Sequence, residues 1–209
     1  VIYEETITKD MKDMAKVIFE SLDGEYYLAG GTALALQIGH RKSIDLDYFI
    51  NSDINIPSLK ADLIKIFPNR QVEFVYEEKN TLWCVVDEVK ISFISRFDSL
   101  VKNIITEDCF RLASLEDILS MKLSAICNRE EYKDYFDLAC LATLTDVRSW
   151  DSWWQKAYPN SDSISYLVAL ANVEAVPLIS LDVMEKFKDI FPSKIIPGVV
   201  SAIKKFMLG

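Results

Sequence analysis

Residues 26 to 49 read Tyr26-Tyr27-Leu28-Ala29-Gly30-Gly31-Thr32-Ala33-Leu34-Ala35-Leu36-Gln37-Ile38-Gly39-His40-Arg41-Lys42-Ser43-Ile44-Asp45-Leu46-Asp47-Tyr48-Phe49. The pattern predicts a short strand, a Gly-Gly turn, a short helix, a polar loop and a second strand carrying two aspartates. Gly30 and Gly31 permit a tight turn that exposes backbone N–H groups, and Thr32 is placed to cap the helix that follows. An anion at such a helix start meets free N–H groups and the positive end of the helix dipole. Gly39 marks the helix C-terminus, and the loop from His40 to Ser43 leads into a segment rich in β-branched and aromatic residues. Asp45 and Asp47 are two apart, so on a strand they project from one face. The flanking Ile44, Leu46, Tyr48 and Phe49 predict a buried strand, where two unpaired carboxylates would cost several kcal/mol without a cation.

Working outward, apolar positions at Met11, Met14, Ala15, Ile18, Phe19 and Leu22 predict an amphipathic helix over 9–22, stopped by Asp23-Gly24. A helix is expected over 57–67, starting at Pro57, and strands over 71–76, 81–86 and 89–94, the last two joined by an Asp87-Glu88 turn. Strand patterning fades from about residue 98. Helices are then expected over about 115–127, with Ser114 and Asp117 in capping-box spacing, and over about 131–144. An aromatic segment with Trp150, Trp153, Trp154 and Tyr158 follows, then a helix near 162–171 and two more separated by Pro192 and Pro197. The tryptophans fit a core or an interface. The expected division is an N-terminal sheet domain over 1–105 and a helical domain over 106–209.

Half of the 209 residues are hydrophobic, enough for a proper core. No run of about twenty apolar residues and no basic-then-apolar leader is visible, so the expectation is a soluble cytoplasmic protein that does not enter membranes. Cys84, Cys109, Cys127 and Cys140 lack zinc-site spacing and suggest no disulfide framework. A formal charge of −9 argues against a broad grip on nucleic acid, which needs clustered Lys and Arg. A local basic patch is still open to His40-Arg41-Lys42, which reads equally as a solvated loop.

Two carboxylates on one strand face can hold divalent cations, and a metal pair about 3.5–4 Å apart can activate an entering oxygen and stabilise a leaving one. A Gly-Gly turn, a helix and Asp-x-Asp on the next strand closely resemble the signature of the nucleotidyltransferase fold. More narrowly, LAGGTALALQIGHRKSIDLDYF resembles the hallmark of the AbiEii/AbiGii-type toxin family, whose members pair with an antitoxin. The later stretch SLEDILSMKLSAICNREEYKDYFDLACL is similar to that family's second motif, a helix lysine followed by Lys-Asp-aromatic-x-Asp-Leu. Read from the residues alone, Lys122 falls within the apolar stripe of Leu115, Ile118, Leu119 and Ile126, where it either snorkels to solvent or serves a site. Asp134 and Asp137, near a helix start, suit either capping or function.

The resemblance implies an α+β protein, a nucleotidyltransferase-like mixed sheet with flanking helices plus a C-terminal helical domain that contributes to the active site. It implies transfer of a nucleoside monophosphate from an NTP to an acceptor hydroxyl. A tRNA 3′ end or other RNA is a plausible acceptor, and a cognate antitoxin is the implied protein partner. Asp45 and Asp47 would hold Mg²⁺ or Mn²⁺. Lys122 would bind phosphates, and Asp134 and Asp137 would complete the catalytic set, one of them as general base. Gly30, Gly31, Thr32, His40, Arg41 and Ser43 would contact the nucleotide, although His40 also suits a helix C-terminus. The chain departs from the fold's pattern at Ser92, where a third metal carboxylate is usual; either Glu73 or a later aspartate substitutes, or the site holds a single metal. A non-catalytic module binding a nucleotide or partner is the alternative, and a metal-dependent glycosyltransferase is a weaker one, because its sugar-nucleotide domain needs a longer βαβ array.

Overall fold

A computed structural model describes residues 1–22 and 25–208, so the Asp23-Gly24 stop expected after the first helix lies outside the described residues. The chain forms two compact units, Val1–Asp98 with Ile104–Ala113, and Ser99–Asn103 with Ser114–Gly209. The first holds strands β1 (Tyr27–Leu28), β2 (Asp45–Ile50), β3 (Val72–Glu78), β4 (Thr81–Val86), β5 (Val89–Ser95), β6 (Ile105–Glu107) and β7 (Phe110–Leu112). They make one mixed sheet in the order β3-β4-β5-β2-β1-β7-β6. The β2/β5 and β1/β7 pairs are parallel and the others antiparallel. This is the mixed sheet with flanking helices that the sequence leads one to expect. Patterning did not reveal β6 and β7, because three residues each are too few for an alternation to register and β6 is exposed throughout.

Alternation gives the sheet two unlike faces. Leu46, Tyr48, Ile50, Leu82, Cys84, Ile91 and Phe93 are buried on one of them. Helix α1 (Lys9–Ser21) covers this face, setting Ala15 and Phe19 around a small cavity with Leu28, Tyr48 and Phe110. Helix α3 (Ile56–Ile66) buries Leu59 and Leu63, and its Lys60 amine stands 4.8 Å over the Phe74 ring of β3. Side chains cap both helices: Thr8 accepts from the Met11 N–H, and Asn55 from the Ser58 N–H, with Pro57 in the first turn of α3. The other face carries Asp45, Asp47, Lys90, Ser92 and Trp83, all half-buried or exposed. Ile44, expected within the buried strand, is 71% exposed and precedes β2.

The second unit contains α4 (Leu115–Asn128), α5 (Tyr132–Ala142), α6 (Trp150–Ala157), α7 (Ser163–Ala171) and α8 (Pro192–Leu208). Ser114 caps α4, and the Asp117 carboxylate accepts the N–H groups of Val101 (2.6 Å) and Lys102 (3.1 Å), which fastens residues 99–103 to this unit. Trp150, Trp154, Tyr166 and Leu170 fill its core. The helices expected to be separated by Pro192 and Pro197 are one helix. Pro192 opens α8, where its missing N–H removes nothing, and Pro197 lies inside it at the loss of a single backbone donor. Among the described residues, no helix is long and apolar enough to cross a membrane.

Helix α2 (Gly30–Ile38) ends at Gly39, whose φ of +65° is the left-handed conformation that closes a helix. A Cβ there would meet the Tyr3 ring at 2.5 Å. Gly39→Ala therefore adds strain of at least about 1 kcal/mol to a steric conflict. The expected outcome is a thermal midpoint lowered by several degrees, read by circular dichroism.

Candidate active site

The helix α2 begins three residues earlier than a cap at Thr32 would place it. Gly30 and Gly31 are its first two residues and Ala29 precedes them, so Thr32 is not the cap. Thr32 is instead a clamp inside the first turn: its hydroxyl donates to the Asp45 carbonyl and lies 2.7 Å from the Ser43 hydroxyl. With its one proton directed at Asp45, Thr32 receives the proton of Ser43. The loop expected to be polar is thereby bound to the helix. His40 is 0% and Arg41 6% exposed, so only Lys42 and Ser43 of this loop reach solvent and the solvated-loop expectation fails for the first two.

Gly30 has φ +67°, and a Cβ on it would stand 3.4 Å from Asp47 Oδ2. A Cβ on Gly31 would run into the Arg41 guanidinium, whose Cζ lies 3.4 Å from that position. The absent side chains make room for a carboxylate and a guanidinium against the start of α2. The first N–H groups of any helix lack intrahelical acceptors, so this is where phosphate oxygens would be received. Arg41 Nη1 also donates to the Lys42 carbonyl at 3.1 Å, which steadies the guanidinium.

Asp45 and Asp47 project from one face of β2, as their spacing requires. Ser92, directly opposite Asp47 on β5, donates to Asp47 Oδ1 at 2.6 Å. This role was not legible in the sequence, where Ser92 registers only as a missing carboxylate. Glu73 does not replace it. It is exposed and aligned with Asp45 through Val85 and Lys90, three strand spacings or about 14 Å away. Among the described residues no three His, Cys, Asp or Glu side chains gather as a metal cage. Two carboxylates on one face, one oriented by a serine, nevertheless fit Mg²⁺, which takes its remaining ligands from phosphate and water.

Lys122, Asp134 and Asp137 come together in the second unit. The Lys122 amine is 2.6 Å from Asp134 Oδ1 and 2.7 Å from Asp137 Oδ2, with all three side chains at most 5% exposed. The amine thus neither snorkels nor lies alone in the apolar stripe. Arg129, absent from the sequence reading, adds a bond from Nε to Asp134 Oδ2 at 2.8 Å. Its position at the end of α4, five residues before Asp134, carries no periodic signal. Asp134 lies near the start of α5, yet burial and ion pairing rather than capping define its surroundings.

Residues 13–151 match the family described as the nucleotidyl transferase AbiEii toxin of type IV toxin–antitoxin systems. The chain belongs to the AbiEii family. Both stretches that carry the resemblance, with every residue of the two groups above, fall within the matched span. This AbiEii chain is 31% identical over 153 residues to an uncharacterized protein of Aquifex aeolicus, covering 71% of this chain and 74% of the other. In fold it is similar to JHP933 from Helicobacter pylori, with a TM-score of 0.58, 20% identity, and coverage of 100% of this chain and 97% of that one. It is also similar to MenT4, a nucleotidyltransferase toxin from Mycobacterium tuberculosis, with a TM-score of 0.54, 12% identity, and coverage of 94% and 82%. Its enzyme class is accordingly nucleotidyltransferase.

Burial alone would raise the Asp134 carboxyl, but Lys122 and Arg129 more than offset it and hold the group below its ordinary value of 3.8. A proton then binds the unfolded chain more readily than the folded one. The stabilisation is full above the ordinary value and is lost as pH falls below 3.8 toward the folded-state value. Asp134→Asn should flatten the acid side of a plot of thermal midpoint against pH. Lys122→Met, which leaves two buried carboxylates short of a cation, should cost about 3–5 kcal/mol in a denaturant titration.

Proposed function

We propose that this AbiEii chain transfers a nucleoside monophosphate from an NTP to the hydroxyl of an RNA 3′ end, a tRNA being the leading acceptor, and releases pyrophosphate. The observation that carries this reading is the approach of Asp47 to Gly30, which sets a metal-grade carboxylate against a phosphate-receiving helix start. In the reaction the bond from the acceptor oxygen to the α-phosphorus forms as the bond to pyrophosphate breaks, and the hydroxyl proton passes to a base. The N–H groups of Gly30 and Gly31, with Arg41, would receive the charge that develops on the leaving pyrophosphate. Asp45 and Asp47 would hold Mg²⁺ or Mn²⁺, which supplies charge neutralisation between the phosphates. Ser92 would keep Asp47 turned to that task. Thr32 and Ser43 would act by holding the loop and helix together.

Lys122, Asp134 and Asp137 enter the reading as a second required group, as the family resemblance implies. Held by Lys122 and Arg129, Asp134 is a poor proton acceptor. The biological role that follows is a toxin restrained by a cognate antitoxin. Burial of His40 favours a structural place for it beside Gly39 over contact with the triphosphate.

The deciding assay offers each labelled NTP with Mg²⁺ to total RNA and to cell protein. Asp47→Asn should lower RNA labelling about 100-fold or more while the thermal midpoint stays near that of the wild type. Persistence of labelling in Asp47→Asn would overturn the role given to Asp47, and no labelling of either pool by the wild type would favour a binding module instead. Ser92→Ala should lower transfer about 10-fold at limiting Mg²⁺ and recover at high Mg²⁺, since it loosens a carboxylate without removing it. For the second group, Asp137→Asn should abolish transfer in protein that circular dichroism shows to be folded. Activity that merely tracks the folded fraction would leave the cluster a structural role.

A further inference from the structure

A row of directly opposed residues runs outward from Asp47. Ser92 lies opposite it on β5, Trp83 opposite Ser92 on β4, and Tyr76 opposite Trp83 on β3. Opposed residues share a face, so the indole and the phenol stand on the same side of the sheet as the two aspartates. Trp83 is 46% and Tyr76 42% exposed, and their rings lie 4.8 Å apart at 39°. The Tyr76 hydroxyl donates to Glu78 Oε2 at 2.6 Å, which holds the phenol beside the indole. Of the core or interface expected for the tryptophans, exposure excludes the core for Trp83, which is an open aromatic surface two strand spacings, about 10 Å, from Asp47.

Its side of the site is specific. Strand β1, which leads into α2, is the other neighbour of β2, so the phosphate-receiving helix start and Trp83 lie on opposite sides of Asp47. In an in-line displacement the entering and leaving oxygens stand on opposite sides of the phosphorus. With pyrophosphate leaving toward α2, the entering hydroxyl stands toward β5 and β4. Charge points to the same kind of ligand contact. The chain carries −9, and Glu73 and Glu78 stand on this face of β3, so a grip on phosphates is disfavoured there. Stacking on an aromatic ring needs no cation and accepts any base.

We propose that Trp83, buttressed by Tyr76, stacks the unpaired terminal base of the RNA acceptor and so presents its sugar hydroxyl to the nucleotide at Asp47. This rests on the nucleotidyl-transfer reading and assigns that reaction its acceptor subsite. The test uses the full chain with total tRNA as the probe. Trp83→Ala should raise the KM for tRNA about tenfold or more, the loss of one stack, with the KM for NTP unchanged, and Trp83→Phe should restore most of it. Tyr76→Ala should give a smaller change of the same kind. A second readout needs no catalysis: tRNA should quench the tryptophan emission of Asp47→Asn, and the quench should vanish when Trp83→Phe is added. A shift in the KM for NTP alone would overturn the proposal by making Trp83 a platform for the incoming base. So would unchanged constants for both substrates, or label found only in protein with no quench by tRNA. A quench that depends on Trp83 in a wild type that transfers nothing would uphold RNA stacking and overturn nucleotidyl transfer.

Discussion

In the proposed reaction the first unit depends on the approach of Asp47 to Gly30. That approach needs a helix start whose backbone turns as a glycine allows, and a strand bearing the carboxylate held in register beside it. Gly30 meets the first condition with its left-handed φ. The second is met by the Thr32 hydroxyl bonded to the Asp45 carbonyl and by the Ala29 N–H bonded to the Asp47 carbonyl at 3.1 Å. Helix, loop and strand are thereby one rigid piece. The carboxylate and the positive end of α2 are held together in the absence of a nucleotide, the kind of arrangement that electrostatic preorganisation uses.

The second unit solves a different electrostatic problem. Lys122, Asp134 and Asp137 are charged groups inside a helical core, and each would be costly there alone. Two carboxylates face one amine, and Arg129 at the rim adds a second cation to Asp134, so that removing Lys122 weakens the compensation of both carboxylates. Such a cluster commits the α4/α5 pair to a single packing.

Much of this was legible in the chain itself. The alternation around Asp45 and Asp47 and the apolar stripe of α4 each follow from a short-range rule and appear in β2 and α4, whereas the glycine pair expected as a turn forms the start of α2. What was not legible depends on partners distant in sequence. Thr32 reads as a cap because Ser, Thr and Asp favour caps, but a bond to Asp45 takes its hydroxyl elsewhere. Ser92 reads as a deficit until the β2/β5 register sets it against Asp47. His40 and Arg41 read as solvated because composition says nothing of what covers a loop. Strands β6 and β7 are too short to carry a period.

By itself the sequence determined the inventory: a phosphate-grade glycine turn, a carboxylate pair on one strand face, a lysine anomalous for its helix, and family membership through two motifs in order. Spacing suffices for these, since helix and strand periods are local properties of the backbone. Tertiary structure alone decided which side chains support one another. It brought Ser92 to Asp47, folded Arg41 over Gly31, gathered Lys122 with two aspartates and left Trp83 open on the face that Asp47 shares. The reason is physical: sheet register and helix packing join residues tens of positions apart, and no local period encodes that pairing.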